Sequence, residues 1–217
     1  MYLFHPSGGL GYHLRAWRHE NGLWRGFRQT VAGWLADWAP PARHLVLVGP
    51  SAGYALNGAF LARFPRITAH EPDPLARWLF GRRFPGTPIA WAGALDDPAQ
   101  LPQRYPDAAY LFCNLLGQTL LDGQTGWAAA LAGALAERPW ASYHEIVSTR
   151  RRPDRLEPIE MDRLVPLEDL LARFWHGGEL EIVDHGTHGL CPDAPRRYGI
   201  WPLVAEQYHL VEWVAKP

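Results

Sequence analysis

The stretch HLVLVGPSAGY, residues 44–54, joins an apolar run to a glycine-rich turn. Its first five residues form a short, largely apolar run with β-branched side chains, which is typical of a strand buried on both faces of a sheet. After the turn, Leu56, Phe60 and Phe64 recur at a helical spacing. The sequence therefore predicts a strand, a glycine turn and a helix in succession.

Strand-like and helix-like segments alternate on both sides of this unit. The predicted strands lie at 44–48, 66–71, 89–91, 108–114 and, more weakly, 143–148, and the predicted helices at 21–38, 56–64, 72–84, 127–137 and 166–175. Such an alternation favours a mainly parallel sheet with helices on both faces.

The last two strand-like segments, 179–184 and 209–214, alternate polar and apolar residues and have no helix-length pattern between them. Two strands joined without a helix predict an antiparallel hairpin. The predicted fold class is therefore α/β, with a three-layer, doubly wound, mainly parallel sheet of seven strands that ends in an antiparallel hairpin. We expect one domain, in which residues 1–40 form a helical N-terminal extension over a Rossmann-like core at 41–217.

The composition excludes several classes of protein. Of 217 residues, 47% are hydrophobic and 20% are charged, as in a folded globular chain and unlike a disordered one. The formal charge is −1, so we expect no binding to duplex DNA. Two cysteines without a CxxC pair favour a reducing, cytoplasmic setting, and the lack of an apolar run of about 18 residues predicts no membrane span. The oligomeric state is left open.

An acidic residue at the end of the second predicted strand suggests what the glycine turn binds. Glu71 follows Gly49 by 22 residues, close to the roughly 20-residue offset at which an acidic side chain accepts hydrogen bonds from a ribose. Glycines let the backbone approach a ligand closely, and the start of the next helix offers free N–H groups. The turn and Glu71 together predict a nucleotide-type site.

These motifs resemble those of class I S-adenosylmethionine-dependent methyltransferases. GPSAGY at 49–54 stands where that family has its glycine-rich first motif, and AHEPDP at 69–74 stands at the acidic end of its second strand. FCNLLG at 112–117 matches the position of the motif after its fourth strand. The closing strands resemble the family's last hairpin, so the resemblance extends from the helix before His44 through the rest of the chain.

The resemblance implies S-adenosylmethionine as cofactor and methyl transfer to an acceptor, a small molecule or a macromolecule, that the sequence does not identify. The turn would line the methionine and ribose parts of the cofactor, Glu71 would hold the ribose hydroxyls, and Asp96 or Asp97 would lie near the adenine. The complete implied set is Gly49, Ser51, Gly53, Glu71, Asp73, Asp96, Asp97 and Asn114.

The turn also leaves two other functions open. Leu47 replaces the acidic residue that usually precedes the family's first glycine, and Pro50 removes one N–H group from the turn. A catalytically inactive Rossmann-like protein that binds a ligand or a partner is therefore an alternative. The same residues match the GxSxG nucleophile elbow, with Ser51 as the nucleophile of a serine hydrolase. That elbow normally follows several strands and an HGG-type segment, which are not found before Gly49.

Methyl transfer requires an aligned acceptor and, for a hydroxyl or a protonated amine, a base that removes its proton. Histidine next to a carboxylate suits that role, because the carboxylate fixes the tautomer of the ring. The catalytic candidates are His144, Glu145, Asp184, His185 and His188, and we expect at least one of the three histidines to be the base. Metal binding by the nearby His185, His188 and Cys191 is not expected, because no second ligand pair stands out.

Overall fold

The computed structural model describes residues 9–95, 97–116, 127–189 and 194–217. Within them, the helices are Gly9–His19 (α1), Arg25–Asp37 (α2), Gly58–Leu61 (α3), Pro74–Arg83 (α4), Leu101–Arg104 (α5), Trp127–Ala134 (α6) and Leu167–Leu171 (α7), with a 3-10 turn at Pro98–Gln100. The strands are His44–Val48 (β1), Arg66–His70 (β2), Ile89–Ala92 (β3), Ala108–Cys113 (β4), Trp140–Thr149 (β5), Ile159–Met161 (β6), Val183–Asp184 (β7), Arg196–Val204 (β8) and Gln207–Lys216 (β9).

These strands form one mixed sheet in the order β3-β2-β1-β4-β5-β9-β8-β6, and β7 pairs with β5 beside this path. The first five strands are parallel, whereas β9 is antiparallel to both β5 and β8. The predicted fold class is confirmed: the sheet is mainly parallel and closes with an antiparallel hairpin. The short strands β6 and β7 supplement seven longer ones.

One partner in that hairpin was predicted in the wrong place. Of the segment 179–184, only Val183–Asp184 is a strand, and it pairs with β5 instead of β9. The strand beside β9 is β8, whose pairing with β9 runs up to the turn at Ala205 and Glu206. The sequence of β8 contains Gly199 and Pro202, two residue types that argue against a strand when only the pattern is considered.

Three predicted helices are shorter than their patterns. The segments 56–64, 127–137 and 166–175 contain helices of four, eight and five residues. In the last segment the chain continues beyond α7 as turns, because the N–H groups of Arg173 and Phe174 bond to carbonyls three residues earlier. The apolar spacing thus predicted correctly where the chain forms helical turns. It overestimated how many of those residues belong to a regular α-helix.

The central strands are covered on both faces, as the apolar run at β1 predicts. Leu45 and Leu47 belong to a core that includes α2 and α4, whereas Val46 and Val48 belong to a core on the other side with Leu131 of α6. All five residues of β1 are buried. The sheet therefore separates two helical layers, and its carboxyl edge is where its parallel strands end together.

No helix among the described residues combines the length and apolar character that crossing a bilayer requires.

A buried ionic cluster joins β5 to the closing hairpin. Glu212 on β9 accepts a hydrogen bond from Arg196 Nη1 at 2.8 Å, and its other oxygen lies 3.1 Å from His144 Nε2. All three side chains are almost completely buried. Burial alone would raise the pKa of Glu212, but His144 and Arg196 beside it hold that pKa below its ordinary value. These contacts stabilise the charged pair of Glu212 and Arg196 inside the protein.

We expect Glu212→Gln to lower the free energy of unfolding by about 3–5 kcal/mol, because the buried Arg196 then loses the carboxylate to which its Nη1 donates. Glu160→Gln is the control, since Glu160 forms an ion pair with Arg197 but is 71% exposed; it should cost at most about 1 kcal/mol. Urea unfolding at pH 7 measures both changes.

The same pair has a pH signature. Because the pKa of Glu212 is lower in the folded state, its contribution is present at neutral pH and is lost as the pH falls below about 4.5. The difference between wild type and Glu212→Gln should shrink over that range. Equal effects of the two substitutions at pH 7 would contradict this assignment.

Candidate functional site

The glycine turn leaves the carboxyl end of β1 in an unusual backbone conformation. Gly49, Ser51 and Gly53 have φ angles of +65°, +50° and +70°. Glycine adopts such angles freely, but Ser51 does so only at a cost. Gly49 N donates to the carbonyl of His70, which fastens the turn to the neighbouring strand β2. The turn is therefore held in place by contacts with the next strand.

Glu71 is the residue that holds the turn from the side of β2. Its Oε2 accepts from Ser51 N and its Oε1 accepts from Asp73 N, both at 2.9 Å. The residue is only 6% exposed. Burial raises the pKa of Glu71, and the two backbone hydrogen bonds oppose that rise. The structure thus brings together the turn and the acid that the sequence spacing relates; the role of Glu71 on a ribose stays a prediction.

The glycines of the turn allow close packing of neighbouring side chains. A Cβ atom added to Gly53 would lie 2.6 Å from the ring of Phe84 and 2.9 Å from that of Phe80, and Gly53 does not line the adjacent cavity. A Cβ atom on Gly49 would lie 3.2 Å from Leu115. Close packing against α4 therefore explains Gly53, whereas Gly49 and Ser51 do face the cavity.

The N-terminal helices cover that cavity. Tyr12 of α1 packs against Tyr54 and Trp24, with ring centroids 5.7 and 6.0 Å apart. Arg28 Nε on α2 donates to the carbonyl of Tyr54 at 2.6 Å. The remaining cavity at the turn has a volume of about 30 Å³, room for about one water molecule.

Three further contacts fasten α1 and the residue after it to the mouth of the site. His13 Nδ1 lies 2.9 Å from the hydroxyl of Tyr54, and His13 Nε2 lies 3.4 Å from Asp73 Oδ2. An ion pair joins Glu20, just after α1, to Arg83 of α4. Asp73, one of the predicted cofactor residues, thus contacts α1 and also caps α4 through Leu75 N.

The residues expected near the adenine are only partly accounted for. Asp97 Oδ1 accepts from Ala99 N at 2.9 Å and so caps the 3-10 turn, and its Oδ2 accepts from Gln100. Asp96 lies outside the described residues, as do Gly117 of the third motif and Cys191. The structure therefore gives Asp97 a capping contact, and its place beside an adenine stays a prediction.

On the other side of the cavity, Asn114 and Glu145 form a reciprocal pair. Asn114 Nδ2 donates to Glu145 Oε1 at 2.8 Å, and Glu145 N donates to Asn114 Oδ1 at 3.1 Å. Asn114 has a φ of +54° and lines the cavity. Because this backbone conformation is costly for a residue other than glycine, the two hydrogen bonds are what keep Asn114 turned toward Glu145.

Two histidines complete this part of the site. Glu145 Oε2 lies 2.8 Å from His209 Nδ1 and 3.7 Å from His185 Nε2. Burial alone would raise the pKa of Glu145, but His209, Asn114 and His185 hold that pKa below its ordinary value. Burial lowers the pKa of His185, which favours its neutral form near pH 7. We call Glu145, His185 and His209 the edge cluster.

His209 was missed by the sequence analysis. It lies within an alternating strand, where a histidine resembles any other inward-facing residue, and the two residues it meets are distant in the chain. The only signal was a polar residue at a buried position of β9.

The other catalytic candidates do not join the edge cluster. His144 faces the opposite side of β5, where it contacts Glu212. His188 Nε2 donates to the carbonyl of Val165 at 2.8 Å, and Asp184 Oδ1 accepts from Gly186 N at 2.7 Å. Strand alternation explains the separation of His144 from Glu145, because consecutive side chains point to opposite faces. Of the three histidines proposed as the base, only His185 lies beside Glu145.

The strained Ser51 also bears on the hydrolase alternative. A positive φ at the serine is a feature of nucleophile elbows. The described residues, however, include no hydrogen bond between the Ser51 hydroxyl and a histidine, which the activation of such a serine requires. The geometry of the site favours ligand binding at the turn over nucleophilic attack by Ser51.

Comparison with known proteins finds similarity only among solved structures. No family model matches the sequence, and no curated protein matches it. Similar structures include magnesium protoporphyrin IX methyltransferase from Synechocystis PCC 6803 with bound SAH, at 15% identity and a TM-score of 0.43, with 94% of both chains covered. SAM-bound CalS10, an amino pentose methyltransferase from Micromonospora echinaspora, has 16% identity and a TM-score of 0.38, with 99% of this chain and 86% of that chain covered.

A third is precorrin-6y C5,15-methyltransferase from Geobacter metallireducens GS-15, at 11% identity and a TM-score of 0.39, with 87% of both chains covered. All three are methyltransferases. Identities and TM-scores this low leave the residues of the site as the evidence on function.

The packing at Gly53 can be tested by substitution. We expect Gly53→Ala to lower the free energy of unfolding by about 2–4 kcal/mol, because a Cβ atom would clash with Phe80 and Phe84 and would strain a positive φ. Gly33→Ala is the control: Gly33 lies in α2 with open space around it, and alanine there should stabilise by about 0.4–1 kcal/mol. Equal unfolding free energies for both variants would contradict the packing explanation.

Proposed function

We propose that the protein transfers a methyl group from S-adenosylmethionine to an acceptor that is still to be identified. The observation that carries the proposal is the hydrogen bond between Glu71 Oε2 and Ser51 N, which joins the acid to the glycine turn. This junction lies at the carboxyl edge of the sheet where β1 is flanked by β2 and β4. In open α/β sheets, ligands bind at the carboxyl edge where the strand order reverses.

The residues present suit the cofactor by type. Gly49 and Ser51 line the cavity with backbone atoms. Each oxygen of Glu71 accepts one backbone hydrogen bond and keeps a second lone pair that can accept from a ribose hydroxyl. When bound, the cofactor supplies a methyl group already activated by the sulfonium, so the chain has to bind, orient and exclude water.

Binding requires that α1 move. A cavity of about 30 Å³ is far below the roughly 300 Å³ at which ligand pockets begin. The contacts that must be released are those of Tyr12 with Tyr54 and of His13 with Tyr54 and Asp73. Their free energy reduces the apparent affinity for the cofactor, because only the uncovered state binds it. The expected N-terminal cover over the pocket is thus a part of the proposal.

The acceptor would approach from the side of Asn114 and the edge cluster. His185 is the histidine best placed to take a proton from an acceptor, since its neutral ring lies beside the Glu145 carboxylate. The hypothesis that one of His144, His185 and His188 is the base therefore narrows to His185.

The scarcity of cysteine makes the cytoplasm the location we propose.

A second candidate function is a binding protein without catalysis. The small cavity favours it, because a turn that only packs the sheet needs no room for a ligand. The two candidates differ in whether the purified protein binds the cofactor or its demethylated product.

We expect S-adenosylhomocysteine, present at 100 times its Kd, to raise the free energy of unfolding by about 2.7 kcal/mol, or the melting temperature by about 5–10 °C. Glu71→Gln should weaken binding about 10–100-fold in calorimetry, because a ribose hydroxyl then loses a charged acceptor. Ser51→Ala should bind as wild type does.

The control for Glu71→Gln is Glu160→Gln, which changes an exposed carboxylate on β6. No binding to folded wild type, together with none to the His13→Ala variant, would contradict the proposal and favour the non-catalytic function. Loss of an ester hydrolysis in Ser51→Ala would favour the hydrolase.

Loosening the N-terminal cover should strengthen cofactor binding, whereas Glu71→Gln should weaken it. We expect His13→Ala to bind S-adenosylhomocysteine about 5–10-fold more tightly than wild type, because it removes contacts that hold α1 down without changing the turn. Leu14→Ala is the matched control on the same helix, since Leu14 is 57% exposed and should leave the affinity unchanged. Calorimetric titrations of both variants measure the effect, and weaker binding by His13→Ala would show that α1 is part of the binding site.

A further inference from the structure

The edge cluster brings together three side chains from separate elements. Glu145 comes from β5, His209 from β9, and His185 from the loop just after β7. A bulge interrupts the pairing of β5 with β9 between Glu145 and Val147. Such a bulge re-aims the side chains around it, and here Glu145 lies on the same side of the sheet as His209. The convergence is a property of the fold and cannot be read from chain spacing.

The ligating atoms of the cluster lie close to one another. One oxygen of Glu145, one nitrogen of His185 and one nitrogen of His209 all lie within 4.8 Å of each other. Asn114 binds Oε1 of Glu145, so that Oε2 is the atom facing both histidines. The Ser148 hydroxyl lies 3.3 Å from His185 Nε2 and can rotate away from it. One carboxylate oxygen and two imidazole nitrogens thus lie close enough together to ligate one ion.

A second observation concerns His209 alone. This residue is 5% exposed, yet neither of its ring nitrogens has a hydrogen-bond partner among the described residues. The 2.8 Å approach of Nδ1 to Glu145 Oε2 is therefore close but misaligned for a hydrogen bond. His144 Nε2 and Glu212 Oε2 approach each other in the same way, but His144 Nδ1 is paired with the Ser142 hydroxyl, whereas His209 has no such second partner among the described residues. A buried imidazole without any partner is costly.

We propose that Glu145, His185 and His209 bind a divalent transition-metal ion. Two imidazole nitrogens and one carboxylate oxygen are a donor set suited to Zn²⁺ or Fe²⁺ and poorly suited to Ca²⁺ or Mg²⁺, which prefer oxygen ligands. The pair from Asn114 to Glu145 orients the ligating carboxylate, as outer hydrogen bonds do in metal sites.

An open cleft lies next to the edge cluster. A cleft of about 660 Å³ is lined by Ser148, Arg150, Glu181, Val183 and Gln207, among others. Ser148, which contacts His185, belongs to this cleft. Three protein ligands leave further coordination positions free, as in catalytic metal sites. None of the three ligands lines the cleft, so an exogenous oxygen or nitrogen ligand would reach the ion past the Ser148 side chain.

What the free coordination position of the ion would do rests on the proposed function. A hydroxyl of the methyl acceptor bound to the ion would lose its proton to a water molecule more readily, because a metal ion lowers the pKa of a bound hydroxyl. His185 would then be a metal ligand and not the base, since Nε2 cannot serve both purposes at once. Metal binding itself needs neither the cofactor nor the acceptor, so the two proposals can fail separately.

The test uses full-length protein without a histidine tag, stripped with a chelator and then titrated with Zn²⁺ in a calorimeter and with Co²⁺ by visible absorption. Wild type should bind one equivalent of each. Glu145→Gln and His185→Gln should each weaken binding at least 10-fold, as loss of one ligand does. His176→Ala is the control, because His176 is exposed and remote from the cluster in its contacts. His185→Gln lies in a loop, which keeps the test valid if Glu145→Gln is misfolded by circular dichroism.

Wild type without a stoichiometric ion would overturn the proposal and leave a buried ion pair only. Equal affinities for wild type and both cluster variants would overturn it too, since the ion would then lie elsewhere. S-adenosylhomocysteine binding is measured separately in chelator. Metal binding without cofactor binding would overturn the methyltransferase proposal alone, and the reverse result would overturn the metal site alone.

Discussion

The site depends on the carboxylate of Glu71, which is shared between two backbone N–H groups. Through Ser51 it holds the turn after β1, and through Asp73 it holds the start of α4. Asp73 in turn contacts His13 of α1, and His13 contacts Tyr54 of the turn. These contacts close a ring of polar interactions at the carboxyl edge. The position of the N-terminal cover and the shape of the turn are therefore coupled through one buried side chain.

Adjacent residues of β5 take part in two different kinds of polar cluster. His144 and Glu212 lie with Arg196 on one face, where a charged pair is matched by a hydrogen bond. Glu145 lies on the other face, at the edge, where His209 is buried without a hydrogen bond. Burial of polar groups is costly in both places, and in both the histidine approaches the carboxylate without a hydrogen bond. In the first cluster, however, His144 Nδ1 is paired with the Ser142 hydroxyl and Glu212 accepts from Arg196, whereas neither ring nitrogen of His209 has a hydrogen-bond partner among the described residues. This contrast separates a structural cluster from one that has room for a ligand.

Much of the fold could be predicted because the central strands are buried on both faces. A run such as β1 carries its own signature, and alternation with helices then gives a parallel sheet. The strand β8 could not be predicted, because Gly199 looks like a breaker. In the structure that glycine is required: a Cβ atom there would lie 2.5 Å from the ring of Trp213 on the adjacent strand. A cross-strand packing constraint of this kind is invisible until the partner strand is known.

The part of the site that could be predicted is the part formed by residues close together in the sequence. The turn and Glu71 lie on consecutive β-α units, so their spacing carries information. His209 and Glu145 meet only because β9 returns to pair with β5, and no local pattern encodes that meeting. His144 and Glu145 are neighbours in sequence but face opposite sides, so their separation required the register of the strand.

The antiparallel return of β9 onto β5 also has a consequence for synthesis of the chain. On the side of β5 that β9 later occupies, the backbone N–H and C=O groups have no partner until β9 has been made. An unpaired edge of buried, apolar strand is a surface on which nascent chains associate. By contrast, β8 and β9 meet across a two-residue turn and can pair as soon as both exist. Completion of the sheet is therefore a late event of folding, and a chain arrested before β9 carries an open edge at its centre.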